Sequence, residues 1–349
     1  MAIVTIRDVA QEAGVSIGAV SRLLSGDTSF KTRPETETRV REAAKRLGYH
    51  ANSGARLLRQ QKPTMIGIAV STQSLIDKSV NDLVHALQAE VAQKNYEPIL
   101  VQPRLMVPSA DRPSFPSPSL LKGIISADWQ LEFQIPEFYK FLRSKLPVVT
   151  LYPTNSAEFT TITVDRSAAI FLASKYLVQN GYKRIMYVGI EGAINPSTTP
   201  RWEGWERAKR ELDISSSSEY EISGSSTNLY DSALMVLENF LALDPRPDAL
   251  IFSHEDISLH TIRLLTQAGI KVGTEVKVVS ALTSLNFIKE VTVPVTFIEH
   301  PVVQIAKESV SHLLAMADDK NQNVVEKQML IQPTILNRNA SGLVSEVTL

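Results

Sequence analysis

Three consecutive side chains, His254, Glu255 and Asp256, are of the types that move protons in enzymes. They follow an apolar run at 249–252 that reads as a strand, and three neighbours on a strand-exit loop cannot all face one reactant. The sequence holds no G-x-G-x-x-G, no G-x-x-x-x-G-K-S/T and no H-E-x-x-H, and Gly189-x-x-Gly192 alone carries little weight. Enzyme activity is therefore not expected. With no cysteine among 349 residues, structural disulfides and Cys-based zinc sites are excluded, and neither a metal nor a cofactor is called for.

The other chemistry on offer is charge. Residues 1–62 hold 11 Lys and Arg against 6 Asp and Glu, whereas the remainder holds 25 against 31, so a net of -1 conceals a basic head on an acidic body. Local positive charge displaces counterions from a phosphate backbone, and an acidic body discourages nucleic acid from wrapping elsewhere. Hydrophobic residues make up 44% and charged residues 21%, which describes a globular chain of more than one domain. No apolar stretch is long enough to span a membrane and no signal-peptide pattern opens the chain, so the expected setting is the cytosol.

The basic head divides into short helices. Thr5-x-x-Asp8 is a helix-capping pattern, followed by Ile6, Val9, Ala10 and Ala13 at helical spacing and a stop at Gly14. Ser16 caps a second helix with Ala19, Val20, Leu23 and Leu24 on its apolar face, ending at Ser25-Gly26-Asp27. Two helices joined through Ala13-Gly14-Val15 form a helix-turn-helix. Pro34 opens a third helix, with Val40, Ala43, Ala44 and Leu47, which closes at Gly48 and completes a small core.

Thr5-Ile6-Arg7-Asp8-Val9-Ala10, Ala13-Gly14-Val15-Ser16, Val20-Ser21-Arg22-Leu23-Leu24 and Leu47-Gly48-Tyr49, in this order and spacing, resemble the DNA-binding head of LacI/GalR transcription regulators. The resemblance implies that the second helix enters the major groove with Ile17, Gly18 and Arg22 at base-reading positions. Arg22 would fork onto a guanine, Ile17 would press on a thymine methyl, and Gly18 would leave one usual contact empty. Thr5, Ser16 and Ser21 would hold phosphates, alongside the capping roles of the first two; Ala19 stands where the family commonly has Thr. Residues 50–62 resemble the family's hinge helix, with Asn52 as its cap, Ala55 within it and Leu58 as the wedge into a central minor-groove step. Ala51 replaces a usual Pro, and Gly54 weakens the helix by about 1 kcal/mol. Such a wedge implies a homodimer on a pseudo-palindromic double-stranded operator.

From Pro63 apolar strands alternate with amphipathic helices: strands at 64–70, 99–102, 123–126 and 148–152 with helices at 80–94 and 135–144, then from 162 a second series with helices at 167–180, 203–212 and 258–268 and strands at 185–188, 249–252 and 276–280. This predicts an α/β fold in two lobes with parallel sheets. Family landmarks, among them Val164-Asp165, Gly204-Trp205 and Ala268-Gly269-Ile270, make the body resemble a periplasmic-binding-protein-like core. The resulting division is a head at 1–49, a hinge at 50–62, one lobe from 63–160 with 291–320 returning to it, and a second from 161–290 with 321–341. Five prolines between Pro103 and Pro118 forbid a long helix where the family has one.

Ligands in open α/β sheets sit beyond the C-terminal ends of the strands. That rule points to the loops after Val70, Ser126, Ile190 and Phe252, with Ser71, Asp128, Arg201 and His254 as candidate effector contacts. Arg201, three residues before Gly204-Trp205, matches the family's effector-gripping Arg. His254-Glu255 stand where the family usually has Asn-Asp, and its Asp after the strand ending at Ser280 is replaced by Ala281-Leu282-Thr283. Trp129, Trp202 and Trp205 are candidates to stack on a sugar, with core packing expected for at least one. The expected protein is a repressor whose operator affinity is set by a small, sugar-like effector between the lobes; DNA binding without a ligand signal is the alternative.

Overall fold

The computed structural model describes residues 4–25, 30–49, 63–72, 75, 78–107, 116–128, 136–152, 159–191, 200–214, 220–225, 228–318 and 328–349. The expected hinge, with Asn52, Ala55 and Leu58, lies outside the described residues, as does Trp129. The chain divides into two compact units, Met1–Thr64 and Met65–Leu349.

Among its described residues the first unit holds three helices: α1 (Ile6–Ala13), α2 (Ile17–Ser25) and α3 (Pro34–Leu47). The Thr5 N–H donates to the Asp8 carboxylate at 2.7 Å, fixing the start of α1, and these hydrogen bonds hold the Asp8 carboxyl below its usual range. Gly14 then turns the chain at φ 63°, a left-handed conformation in which a side chain would be strained. The core is small and apolar: Val9, Ala10 and Ala13 meet Val20, Leu23, Val40, Ala43 and Ala44.

In the second unit each sheet gathers strands from distant parts of the sequence. One has six strands in the order β11-β5-β4-β3-β1-β2, comprising β1 (Met65–Ala69), β2 (Glu97–Val101), β3 (Leu121–Ser126), β4 (Val148–Thr150), β5 (Thr160–Val164) and β11 (Gln328–Ile331), all parallel. The other has seven in the order β13-β12-β10-β9-β8-β6-β7. Its members are β6 (Ile185–Glu191), β7 (Glu221–Ser225), β8 (Ala249–Phe252), β9 (Lys277–Thr283), β10 (Val295–Glu299), β12 (Ile335–Arg338) and β13 (Val344–Glu346). β12 and β13 run antiparallel at one edge. Near-continuous burial of β1, β3, β5, β8 and β9 is what a parallel sheet covered on both faces requires.

Helices α4 (Lys78–Gln93) and Val302–Asp318 pack together beside the first sheet; α5 (Pro103–Met106) is a single turn within the proline-rich stretch, near α6 (Pro136–Arg143). Helices α7 (Arg166–Gln179) and α8 (Pro200–Glu211) pack together, with α7 against the second sheet, as do α9 (Leu229–Ala242) and α10 (Glu255–Gln267) on that sheet's strands. α11 (Leu285–Glu290) and α12 (Val302–Asp318) complete the order.

The chain passes between sheets three times in this part of the sequence: after Val164, after Glu299 and after Ile331. These crossings lie side by side, since Asp165 N–H donates to the Ile331 carbonyl at 2.9 Å and Glu299 N–H to the Thr334 carbonyl at 2.8 Å. The sequence-based division differs here. Residues 160–164 close the first sheet rather than opening the second lobe, 295–299 belong to the second sheet, and 328–331 return to the first. A buried apolar strand reads the same in either sheet, and only its pairing partner, Ile331 for Val164 and Val279 for Thr296, assigns it.

Candidate functional site

Two groups of side chains stand out, one in each unit. On α2 the period of 3.6 residues places Ile17, Gly18, Ser21 and Arg22 opposite the buried Val20 and Leu23. Ile17 is 41% exposed, unusual for a large apolar side chain on a small domain, and Arg22 is exposed with its guanidinium 5.1 Å from the Phe30 ring. A Cβ on Gly18 would meet only the Ser16 hydroxyl, at 3.9 Å, so the fold does not demand glycine there.

The hydroxyls differ in what they have left to give. Ser16 Oγ accepts from the Ala19 N–H at 3.2 Å, which caps α2 and leaves its own proton for a phosphate oxygen. Thr5 Oγ1 donates to Asp8 at 2.8 Å, so its hydroxyl must rotate before it can donate elsewhere. Ser21 is half-buried on the outward face.

In the second unit three of the four candidate effector contacts, Ser71, Asp128 and His254, sit at strand exits. Ser71 follows β1 and Asp128 follows β3, the neighbouring strand; the Ser71 N–H donates to the buried Asp128 carboxylate at 2.8 Å. His254 follows β8 of the other sheet, its Nδ1 2.9 Å from Ser253 Oγ. Arg201 lies in the first turn of α8 and is half-buried. Its placement depends on Gly204 one turn later: a Cβ there would fall 2.3 Å from the Ser167 carbonyl oxygen, so only glycine lets α8 approach the start of α7 this closely.

That approach brings Arg201 into a cluster the sequence reading had not assembled. Arg166, first residue of α7 and 8% exposed, donates from Nη1 to Thr163 Oγ1 at 2.7 Å and lies 5.0 Å from the Tyr152 ring. Burial pushes its pKa down. His254 is held neutral well below the ordinary histidine range by burial first, then by the Arg201 and Arg166 charges. His300, between β10 and α12, is buried and pushed down to about 3 by burial and the same two arginines. Its Nδ1 is buried without a hydrogen-bond partner. Tyr187 on β6 is raised to about 12, chiefly by burial, against the opposing pull of Arg201 and a hydrogen bond with Ser253.

Glu255 takes part where the family's aspartate is missing: its Oε2 accepts the Ser284 N–H at 2.7 Å, just beyond β9. Leu282 nearby has φ 54°, a strained position for a branched side chain. Of the tryptophans, Trp205 is fully buried, stacked on Tyr187 at 5.3 Å with its Nε1 donating to Glu221 at 2.8 Å, and is core. Trp202 is half-buried and edge-on to Tyr187 at 5.8 Å. Arg166 and His300 were legible as types, but only burial singles them out; the charged residue directly after Val164-Asp165 was the available signal.

A trihelical head with an outward recognition face and a body of two sheets, one parallel and one with an antiparallel edge, crossed three times define a DNA-binding transcription regulator with a periplasmic-binding-protein-like core. Comparison with known proteins agrees. A family profile described as "Bacterial regulatory proteins, lacI family" matches residues 5–52, and one described as "Periplasmic binding protein-like domain" matches 174–341. The chain is 28% identical to catabolite control protein A of Priestia megaterium over 289 residues, 79% of this chain and 81% of that protein. It is 25% identical to the HTH-type transcriptional repressor PurR of Vibrio campbellii over 342 residues, 96% and 98% of the two chains. The Lac repressor bound to ONPG in the repressed state shares the fold at a TM-score of 0.74 and 19% identity, covering 96% of this chain and 98% of that one. The chain thus joins a lacI-family regulatory head to a periplasmic-binding-protein-like domain, the domain pair of the DNA-binding transcriptional repressors it resembles over most of its length. Among the described residues no helix is long and apolar enough to cross a membrane.

Proposed function

We propose that this repressor acts in the cytosol as a homodimer on a pseudo-palindromic operator and that a small, sugar-like effector bound between its lobes lowers operator affinity. Residues 1–49 are the reading head and 50–62 the hinge. Arg22 and Ile17 contact base edges, Ser16, Ser21 and, after rotation, Thr5 contact phosphates, and Asn52, Ala55 and Leu58 serve the minor groove. Ser71 and Asp128 grip the effector from the first sheet, Arg201 and His254 from the second.

The observation that carries the reading is the meeting of both sheets at the crossings, where the Asp165 N–H donates to the Ile331 carbonyl at 2.9 Å and the Glu299 N–H to the Thr334 carbonyl at 2.8 Å. Arg166 leaves a strand of the first sheet, yet its charge acts on His254 and His300, which leave strands of the second. Ligand binding among such groups is coupled to how the sheets sit against each other, and a ligand that prefers one arrangement shifts the equilibrium toward it.

The test is operator binding of the purified chain by mobility shift with metabolite additions. Arg201→Ala is expected to lose the effector response and keep operator binding; loss of DNA binding by this variant contradicts the assignment, and no response to any metabolite in the unaltered protein favours ligand-independent binding.

A further inference from the structure

Burying a cation is costly unless an anion compensates it, and protein interiors normally supply one. Arg166 breaks that rule. The residue is more than nine-tenths buried, and its guanidinium meets a hydroxyl, Thr163, and a ring face, Tyr152. Among the described residues no carboxylate forms an ion pair with it. The two buried carboxylates at the surrounding strand exits, Asp128 and Glu255, accept the Ser71 and Ser284 N–H groups, and neither forms an ion pair with Arg166.

A second cation, Arg201, acts on the same two histidines as Arg166, so the two guanidinium groups share one neighbourhood. Both histidines there are neutral, and the buried Nδ1 of His300 has no hydrogen-bond partner. Arg166 thus brings a buried positive charge with no carboxylate in an ion pair, and His300 brings spare hydrogen-bonding capacity. A neutral sugar would satisfy the hydrogen bonds and leave the charge uncompensated.

We propose that the interlobe site takes an anionic ligand, a polyhydroxylated metabolite carrying a carboxylate or a phosphate, whose charged group is neutralised by Arg166 and Arg201. This rests on the effector reading above and narrows it from sugar-like to acidic. Forked donors match both oxyanions, so the two sources share one recognition chemistry.

The experiment is isothermal titration of the full chain at fixed ionic strength with matched probes: glucose, glucuronate and glucose 6-phosphate, then galactose and galacturonate, then ribose and ribose 5-phosphate. At least one anionic member is expected to bind tenfold or more tightly than its neutral partner, and the arm in which this happens identifies carboxylate or phosphate as the source. Anions also bind a basic head, so the variants assign the site: Arg166→Met erases the preference, and Arg166→Lys, which keeps the charge and controls for folding, retains it. A neutral sugar binding as well as its acidic partner overturns the proposal and leaves the effector reading standing. A preference that survives in folded Arg166→Met overturns it as well. A panel in which nothing binds counts against both readings.

Discussion

Gly204→Ala isolates the contact that sets Arg201 beside Arg166. The added methyl falls 2.3 Å from the Ser167 carbonyl oxygen and 3.0 Å from that residue's carbonyl carbon and Cα. These are backbone atoms, which cannot swing aside as a side chain can, so α8 must retreat by about 1 Å to reach ordinary van der Waals contact. Overpacking costs about 1–3 kcal/mol, and a backbone obstacle puts this case near the upper end. Alanine's better helix propensity recovers about 1 kcal/mol, leaving a net loss of about 2 kcal/mol. Urea unfolding followed by tryptophan fluorescence measures it cleanly, because Trp129, Trp202 and Trp205 all lie in the body and none in the head. The expected result is a lower midpoint with an unchanged slope. A variant as stable as the parent, or more stable, refutes the argument that close approach of α7 and α8 requires this glycine.

Other outcomes follow from the same geometry. Arg22→Ala relaxes sequence choice at one base pair per operator half-site by about 1–3 kcal/mol, measured by competition with single-base operator variants; uniform weakening across all variants assigns Arg22 to phosphate instead. His300 has an ordinary value of 6.5 when exposed and about 3 when folded, so between these limits the unfolded chain binds the extra proton and stability falls as pH falls. The slope from this residue is about 1.4 kcal/mol per pH unit below 6.5. His254, also lowered, adds in the same direction. Denaturant midpoints at pH 7 and 5.5, above the carboxylate range, show the loss, and His300→Gln reduces it; an unchanged pH dependence in that variant means His300 is not buried as a neutral ring.

The head was legible almost residue by residue because its signals are local. Thr5 and Asp8, Gly14, Ser16 and Pro34 each act within one helical turn, and the helices begin and end where those residues dictate. Strands β1 to β4, β6, β8 and β9 were legible as strands; β5, β10 and β11 were not, and they earn their places through partners far away in sequence. Strands β7, β12 and β13 and helices α9, α11 and α12 went unread as well; β7 is short and polar, Glu-Ile-Ser-Gly-Ser, although α9 carries a clear apolar face at Ala233, Val236 and Phe240. Strand-exit reasoning needs only strand ends, and it singled out Ser71, Asp128 and His254, which do follow strands in the fold. Arg166 and His300 escaped it because an arginine or a histidine in a sequence carries no mark of burial; the meaning of each comes from the crossing segments packed around it.

The central claim is that this chain reads a two-fold symmetric DNA sequence. Selection of binding sites from random double-stranded DNA by the full chain, followed by titration of the enriched site at several salt concentrations, tests it most directly. The account predicts enrichment of an inverted repeat that retains a preference of at least about a thousandfold over unrelated DNA at physiological salt. Enrichment of no sequence, with all DNA bound alike and released together as salt rises, would contradict it.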